Sequence, residues 1–203
     1  MKKTFFSTFF ALAGIGLWAF QMSTQDLSQY DSLKEPRITS LPSLKMLVVE
    51  AQGDPNVAGQ RAFAELFKVF FSMPGVRMSP PRARWLNVSS SDKSAWIGLY
   101  ALPIPAQATN LPPGSGSARI EIWPYGEVAE MMHVGPYGEE TPAIQKLINF
   151  IDRQGYVIAG PHEEEYLRGP ESGPDASQYR TIIRYQVKKK SPLPPFEPLM
   201  ARS

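Results

Sequence analysis

The chain breaks a strand-like run twice, and each time an amphipathic helix follows. Gly53-Asp54-Pro55 ends LKMLVVE at Leu44–Glu50, and Gly135-Pro136-Tyr137-Gly138 ends the run Val128–Val134. Breakers of this kind stop one element and let the next start at a fixed angle. After the first, Gly59, Ala62, Phe63, Leu66, Phe67, Phe70 and Phe71 follow the i, i+3, i+4 rule, giving a helix with an aromatic seam. After the second, Thr141 is an N-cap with Pro142 at the first helical position, Ile144, Leu147, Ile148 and Ile151 form the apolar stripe, and Gly155 stops it.

Two strands follow each helix. In the first half they are Arg82–Ser89 and Ser94–Leu102, with Trp96 and Tyr100 on one face. In the second they are the strand carrying His162–Leu167 and the ten-residue alternation that starts at Tyr179. A further strand, Ile120–Trp123, precedes the second unit, and the aperiodic connector 103–117 (PIPAQATNLPPGSGS) divides the halves. The expected fold class is α+β: duplicated strand-helix-strand-strand modules forming antiparallel sheet, two helices and a central ligand cleft, plus an N-terminal hydrophobic helix. Twenty prolines fit many short elements and exclude a helical bundle.

The expected boundaries are residues 1–23, an anchor or signal segment; 24–36, a linker; 37–190, the globular domain, with halves 37–102 and 118–190; and 191–203, a Pro-rich tail. Two lysines precede an uncharged run of about twenty residues, long enough to cross a bilayer. Ala11 and Ala13 give the spacing of a cleavage site, but the apolar run continues past them, which favours an uncleaved anchor. Lys2 and Lys3 then stay inside, and the domain lies on the export side, periplasmic or extracellular. Net charge is +2, the one basic run is Lys188–Lys190, and cysteine is absent. No nucleic-acid partner, thiolate metal site or thiol nucleophile is expected. His133 and His162 are too few for a histidine cage, and no metal or cofactor is expected.

In the strand PHEEEYL, His162, Glu164 and Tyr166 share one face while Glu163, Glu165 and Leu167 share the other. A carboxylate beside an aromatic ring is either the polar floor of a pocket or one half of a cross-strand ion pair with Arg180 or Arg184. Trp85, Trp96, Tyr100, Tyr125 and Tyr137 are candidates to line such a pocket.

The ordered set HVGPYG at 133–138, Glu164-x-Tyr166-Leu167 and Tyr179-x-Thr181-x-Ile183, with LVVEAQGDPN at 47–56, resembles the GyrI-like small-molecule-binding domain, the effector-binding module of AraC-type and MerR-type activators. The resemblance covers residues 37–188. It implies a duplicated module with an aromatic-lined cleft and a buried glutamate that meets cationic or polar aromatic ligands, here Glu164 followed by Tyr166. No helix-turn-helix segment precedes it. The expected function is a membrane-anchored binding module for a cationic or aromatic small molecule, a sensor or sequestering protein, with Glu164, Tyr166, Trp85, Trp96, Tyr100 and Tyr137 as ligand-binding residues. The alternative is a hydrolase of small electrophilic compounds, with Glu164 as general acid or base assisted by Tyr166 and Tyr137. A protein partner is not indicated.

Overall fold

The computed structural model of the protein describes residues 26–87 and 92–191. The anchor expected at residues 1–23 lies outside them, as does the tail beyond residue 191. No helix among the described residues is long and apolar enough to cross a membrane.

Among the described residues nine strands and two α-helices form the frame: β1 (Arg37–Leu41), β2 (Leu44–Gln52), α1 (Pro55–Phe71), β3 (Arg82–Trp85), β4 (Ile97–Pro103), β5 (Arg119–Trp123), β6 (Gly126–Val134), α2 (Thr141–Arg153), β7 (Tyr156–Ile158), β8 (His162–Arg168) and β9 (Arg180–Lys189). Both expected helices are present; the first half runs β2-α1-β3-β4, and the second, β6-α2-β7-β8-β9, adds the short strand β7 to the expected pattern. The order across the sheet is β1-β6-β9-β8-β3-β4-β2-β5, with β7 on β9, and every pairing is antiparallel. The two halves therefore pair at β3 and β8 in the middle of the sheet, and also at β1–β6 and β2–β5 near its ends.

β5 ends the sheet on one side, yet Pro124-Tyr125 alone separates it from β6, next to the opposite end. So short a link requires the sheet to curl into a half-barrel. Val128 of β6 accordingly packs with Met46 and Val48 of β2 and with Trp123 and Tyr125.

Both faces of the sheet are buried. On the outer face α1 covers Leu47, Val49 and Leu102, and α2 covers Ala129, Met131, Ile183 and Val187. Burying Leu66, Phe67 and Phe70 of α1 stabilises by about 1.5–3 kcal/mol each. Phe71, expected in that seam, is instead 45% exposed and stacks on Phe67. Val69 is buried in the core instead.

The inner face carries charge. Arg84, Glu163, Arg184, Glu130 and Arg37 stand directly opposite one another on β3, β8, β9, β6 and β1, an alternating ladder across five strands. Its contacts run from Arg84 Nε to Glu163 Oε2 at 2.7 Å, Arg184 Nη1 to Glu163 Oε1 at 2.8 Å, Arg184 Nε to Glu130 Oε2 at 2.9 Å and Arg37 Nη2 to Glu130 Oε1 at 2.8 Å. Arg82 and Arg184 share Glu165 at 3.1 and 3.0 Å. Trp123 lies under the Arg84 guanidinium at 3.9 Å. Burial alone would raise Glu163, but Arg184, Arg82 and Arg84 hold it below the usual carboxylate range. Residues 28–34, within the segment expected to be linker, wind into a 3-10 helix whose Leu33 packs against Met132, Leu167 and Ile182.

Candidate functional site

Glu164 sits in the middle of β8, at the seam of the two halves, on the helix-covered face. Along its own strand His162 and Tyr166 share that face, as the period of two requires. Across the seam Ala83 is its partner, and on the other side Ile183. Neither Arg180 nor Arg184 reaches it: Arg184 binds Glu130, Glu163 and Glu165 on the other face, and Arg180 donates to the backbone carbonyls of Ser177 and Tyr179. The ion-pair alternative is thereby excluded.

Three neighbours hold the carboxylate instead. Trp85 Nε1 donates to Glu164 Oε1 at 3.0 Å, Tyr166 OH donates to Oε2 at 2.6 Å, and His162 Nε2 lies 3.0 Å from Oε1. The other His162 nitrogen is held by Tyr185 OH at 2.8 Å. Burial works against the charged form of Glu164, but His162, Tyr166 and Trp85 outweigh it and keep the group ionised. Burial and the facing carboxylate push the Tyr166 hydroxyl far up, so it remains a donor.

Rings fill the space around this carboxylate. Tyr100 meets Trp85 edge to face at 5.7 Å, Trp96 meets Trp85 at 5.9 Å, and Phe63 of α1 meets Tyr100 and Tyr166. Tyr137 stands edge to face on Tyr166 at 5.5 Å and is 37% exposed, so it forms the outer rim. Glycines make the packing possible. A Cβ on Gly98 would come within 2.8 Å of the Tyr100 ring, and one on Gly169 within 2.6 Å of the Tyr137 hydroxyl.

All six expected ligand-binding residues thus belong to one cluster. Tyr125 does not: its hydroxyl donates to Glu163 on the inner face, because the β5–β6 turn places it inside the curl. The open hollow expected around Glu164 is packed with aromatic rings. A cavity of about 310 Å³ opens on the other face, between Leu33, Arg37, Leu41, Arg82 and Glu130.

A second carboxyl group, not expected from the sequence, faces Glu164. Glu140 is the N-cap residue of α2, one position before the expected cap at Thr141, yet its side chain caps nothing. It is 5% exposed. Burial first, and then the Glu164 charge, push its pKa up to about 9, so it is protonated at neutral pH. Donor atoms of Glu140, His162 and Glu164 all lie within 4.8 Å of one another. Glu140 Oε1, Thr181 Oγ1 and Tyr100 OH are buried with no hydrogen-bond partner among the described residues. Thr181 pairs with Tyr166 across β8 and β9, and Tyr100 pairs with Ala83 beside Glu164. A group entering here would find polar atoms waiting for it.

Residues 34–188 match the GyrI-like small molecule binding domain. The chain belongs to that family. No curated protein matches it in sequence. Among solved structures, a hydrolase from Listeria innocua shares 22% identity at TM-score 0.61, over 76% of this chain and 92% of the other. The C-terminal domain of EcmrR shares 15% at TM-score 0.64, over 77% and 98%. EcmrR in its complex with DNA gives 14% and TM-score 0.66, over 87% of this chain and 66% of that one. At these identities the likeness is one of fold, which this GyrI-like chain shares with both.

Proposed function

We propose that this GyrI-like domain binds a small organic cation with aromatic character, and that Glu164 receives the charge. The observation that carries this reading is an ionised carboxylate, only 12% exposed, without an arginine partner, walled by Trp85, Tyr100, Tyr137 and Tyr166 and facing a second carboxyl. A cation beside it gains Coulomb attraction in a low dielectric and about 0.5–2 kcal/mol from each well-placed ring. Because the rings fill the cleft, entry requires Tyr137 at the rim to swing aside. The chain then acts as a sensor or as a sequestering protein. With the N-terminal segment as an uncleaved anchor, it does so at the membrane, on the export side. Fractionation of the expressed chain, followed by protease shaving of intact cells, tests that location: a soluble cytoplasmic chain overturns it.

The test of binding is calorimetry of the full-length chain against a panel of cationic aromatic dyes, with Glu164→Gln as control. We expect saturable, stoichiometric binding that the variant weakens at least tenfold. Equal affinity for both proteins removes the carboxylate from the account.

A second reading is favoured by the pairing of a protonated Glu140 with an ionised Glu164, an arrangement suited to general acid–base work on a small electrophile. Tyr166 and Tyr137 would assist. Turnover separates the readings, since a binding module saturates at one equivalent and a hydrolase keeps releasing product.

A further inference from the structure

The Glu140–His162–Glu164 cluster is built as a metal site is built. Three donor atoms of suitable kind, two carboxylate oxygens and one imidazole nitrogen, come within 4.8 Å of one another. Around a divalent ion with bonds of about 2.0–2.2 Å, donors stand about 3–3.5 Å apart, so closing the site asks for side-chain adjustments of about an ångström. The His162 Nε2 to Glu164 Oε1 separation is already 3.0 Å.

The surroundings favour a metal in a second way. A metal-binding histidine has its remaining ring nitrogen held, and a metal-binding carboxylate is itself hydrogen-bonded. Here Tyr185 holds His162 Nδ1, Trp85 and Tyr166 donate to the two oxygens of Glu164, and all of these residues are fixed on strands. Glu140 Oε1 is buried without a hydrogen-bond partner among the described residues, while the carboxyl as a whole lies against Thr181 and Glu164. Two carboxyls set face to face in a dry place call for either a shared proton or a cation between them.

We propose that Glu140, His162 and Glu164 form a binding site for one divalent transition-metal ion of borderline softness, zinc being the best match to one nitrogen and two oxygens. It rests on the reading of Glu164 as a receptor for positive charge and names a different cation for it. On binding, Glu140 loses its proton to solvent. The His162 proton that Nε2 directs at Glu164 is given up and Nδ1 carries one toward the Tyr185 oxygen, so that Nε2 presents its lone pair to the metal. A fourth position remains for water or for a ligand atom.

The experiment uses the full-length chain, freed of metal with a chelator and titrated with zinc chloride by calorimetry in two buffers of different ionisation enthalpy. One zinc per chain is expected, with proton release. Glu140→Gln and His162→Gln should each weaken binding at least tenfold, while His133→Gln, outside the cluster, leaves it unchanged. Circular dichroism checks that each variant folds. Should either cluster variant fail to fold, cobalt(II) added to the wild-type protein decides: visible ligand-field bands lost on adding zinc support the site. No binding, affinity equal across folded variants, loss of binding in His133→Gln, or the absence of cobalt bands overturns the inference. Dyes bound without zinc uphold the organic-cation reading and reject the metal. Zinc bound with no dye response does the reverse.

Discussion

At the scale of single residues, the unusual member is Glu140. An acid at a helix N-cap ordinarily accepts a backbone N–H and titrates low, whereas here the side chain turns inward against Glu164 and its pKa rises to about 9. The sign of the consequence is fixed by linkage. Folded protein keeps a proton that the unfolded chain gives up near the ordinary value of 4.5, so the stability this group confers is complete below that value and is lost as pH rises toward 9. Glu140→Gln keeps a neutral side chain of the same shape at every pH. Thermal melts of the wild type should therefore fall steadily between pH 5 and 9, and the variant should lose much of that slope. Affinity for an organic cation should rise over the same range as Glu140 ionises, measured by dye titration at several pH values. Nothing local in the sequence marks Glu140, because acids are common at helix starts and the cap reads equally well at Thr141. His162 was visible as a neighbour of Glu164 by spacing, but its contact with the carboxylate depends on a rotamer that spacing does not fix.

Among the elements, β8 carries most of the information. Its alternation was legible: His162, Glu164 and Tyr166 do share a face, and Glu163, Glu165 and Leu167 do share the other. What lay beyond the sequence was that both faces are covered. Charged residues at period two usually mark the wet side of a sheet, so Arg82, Arg84, Glu130 and Arg184 gave no sign of burial until the register set each opposite a residue of the other charge. The ladder makes a direct prediction. Arg184→Met strips Glu163, Glu130 and Glu165 of a shared partner inside the curl. Leaving three buried acids to the remaining Arg37, Arg82 and Arg84 should still cost stability, at most the roughly 3–5 kcal/mol of a broken buried pair, read as a lower urea midpoint at unchanged slope. The loss should lessen under acid, where these acids take up protons. A wild-type midpoint in Arg184→Met would show the ladder to be dispensable. The strands of the first half were read too long, since β3 stops at Trp85 and β4 begins at Ile97.

For the whole molecule, the α+β class and the helix after each breaker hold, but the two expected halves are not separate bodies. They share one continuous sheet through β3 and β8, and the turn between β5 and β6 ties its two ends together. Unfolding should therefore be a single cooperative event. Tryptophan fluorescence, reporting Trp85 and Trp96 in one half and Trp123 at the turn, should change together with far-ultraviolet circular dichroism. Two separated transitions would mean that each half stands alone. The curl itself had no signature in the sequence, because it follows from which strands pair at a distance and not from any one segment.

Three glutamates in a row on β8 thus serve two opposite neighbourhoods, and alignment alone tells them apart. Inserting or deleting one amino acid before Glu163 would trade their assignments. An acid meant for guanidinium groups would then sit among rings, and the cation receptor would be locked to arginine. The irregularity between Tyr166 and Arg168 falls after all three glutamates, so length changes there are absorbed while those upstream are not. In this lineage, gaps and insertions should gather beyond Tyr166 and be rare between Pro161 and Glu165.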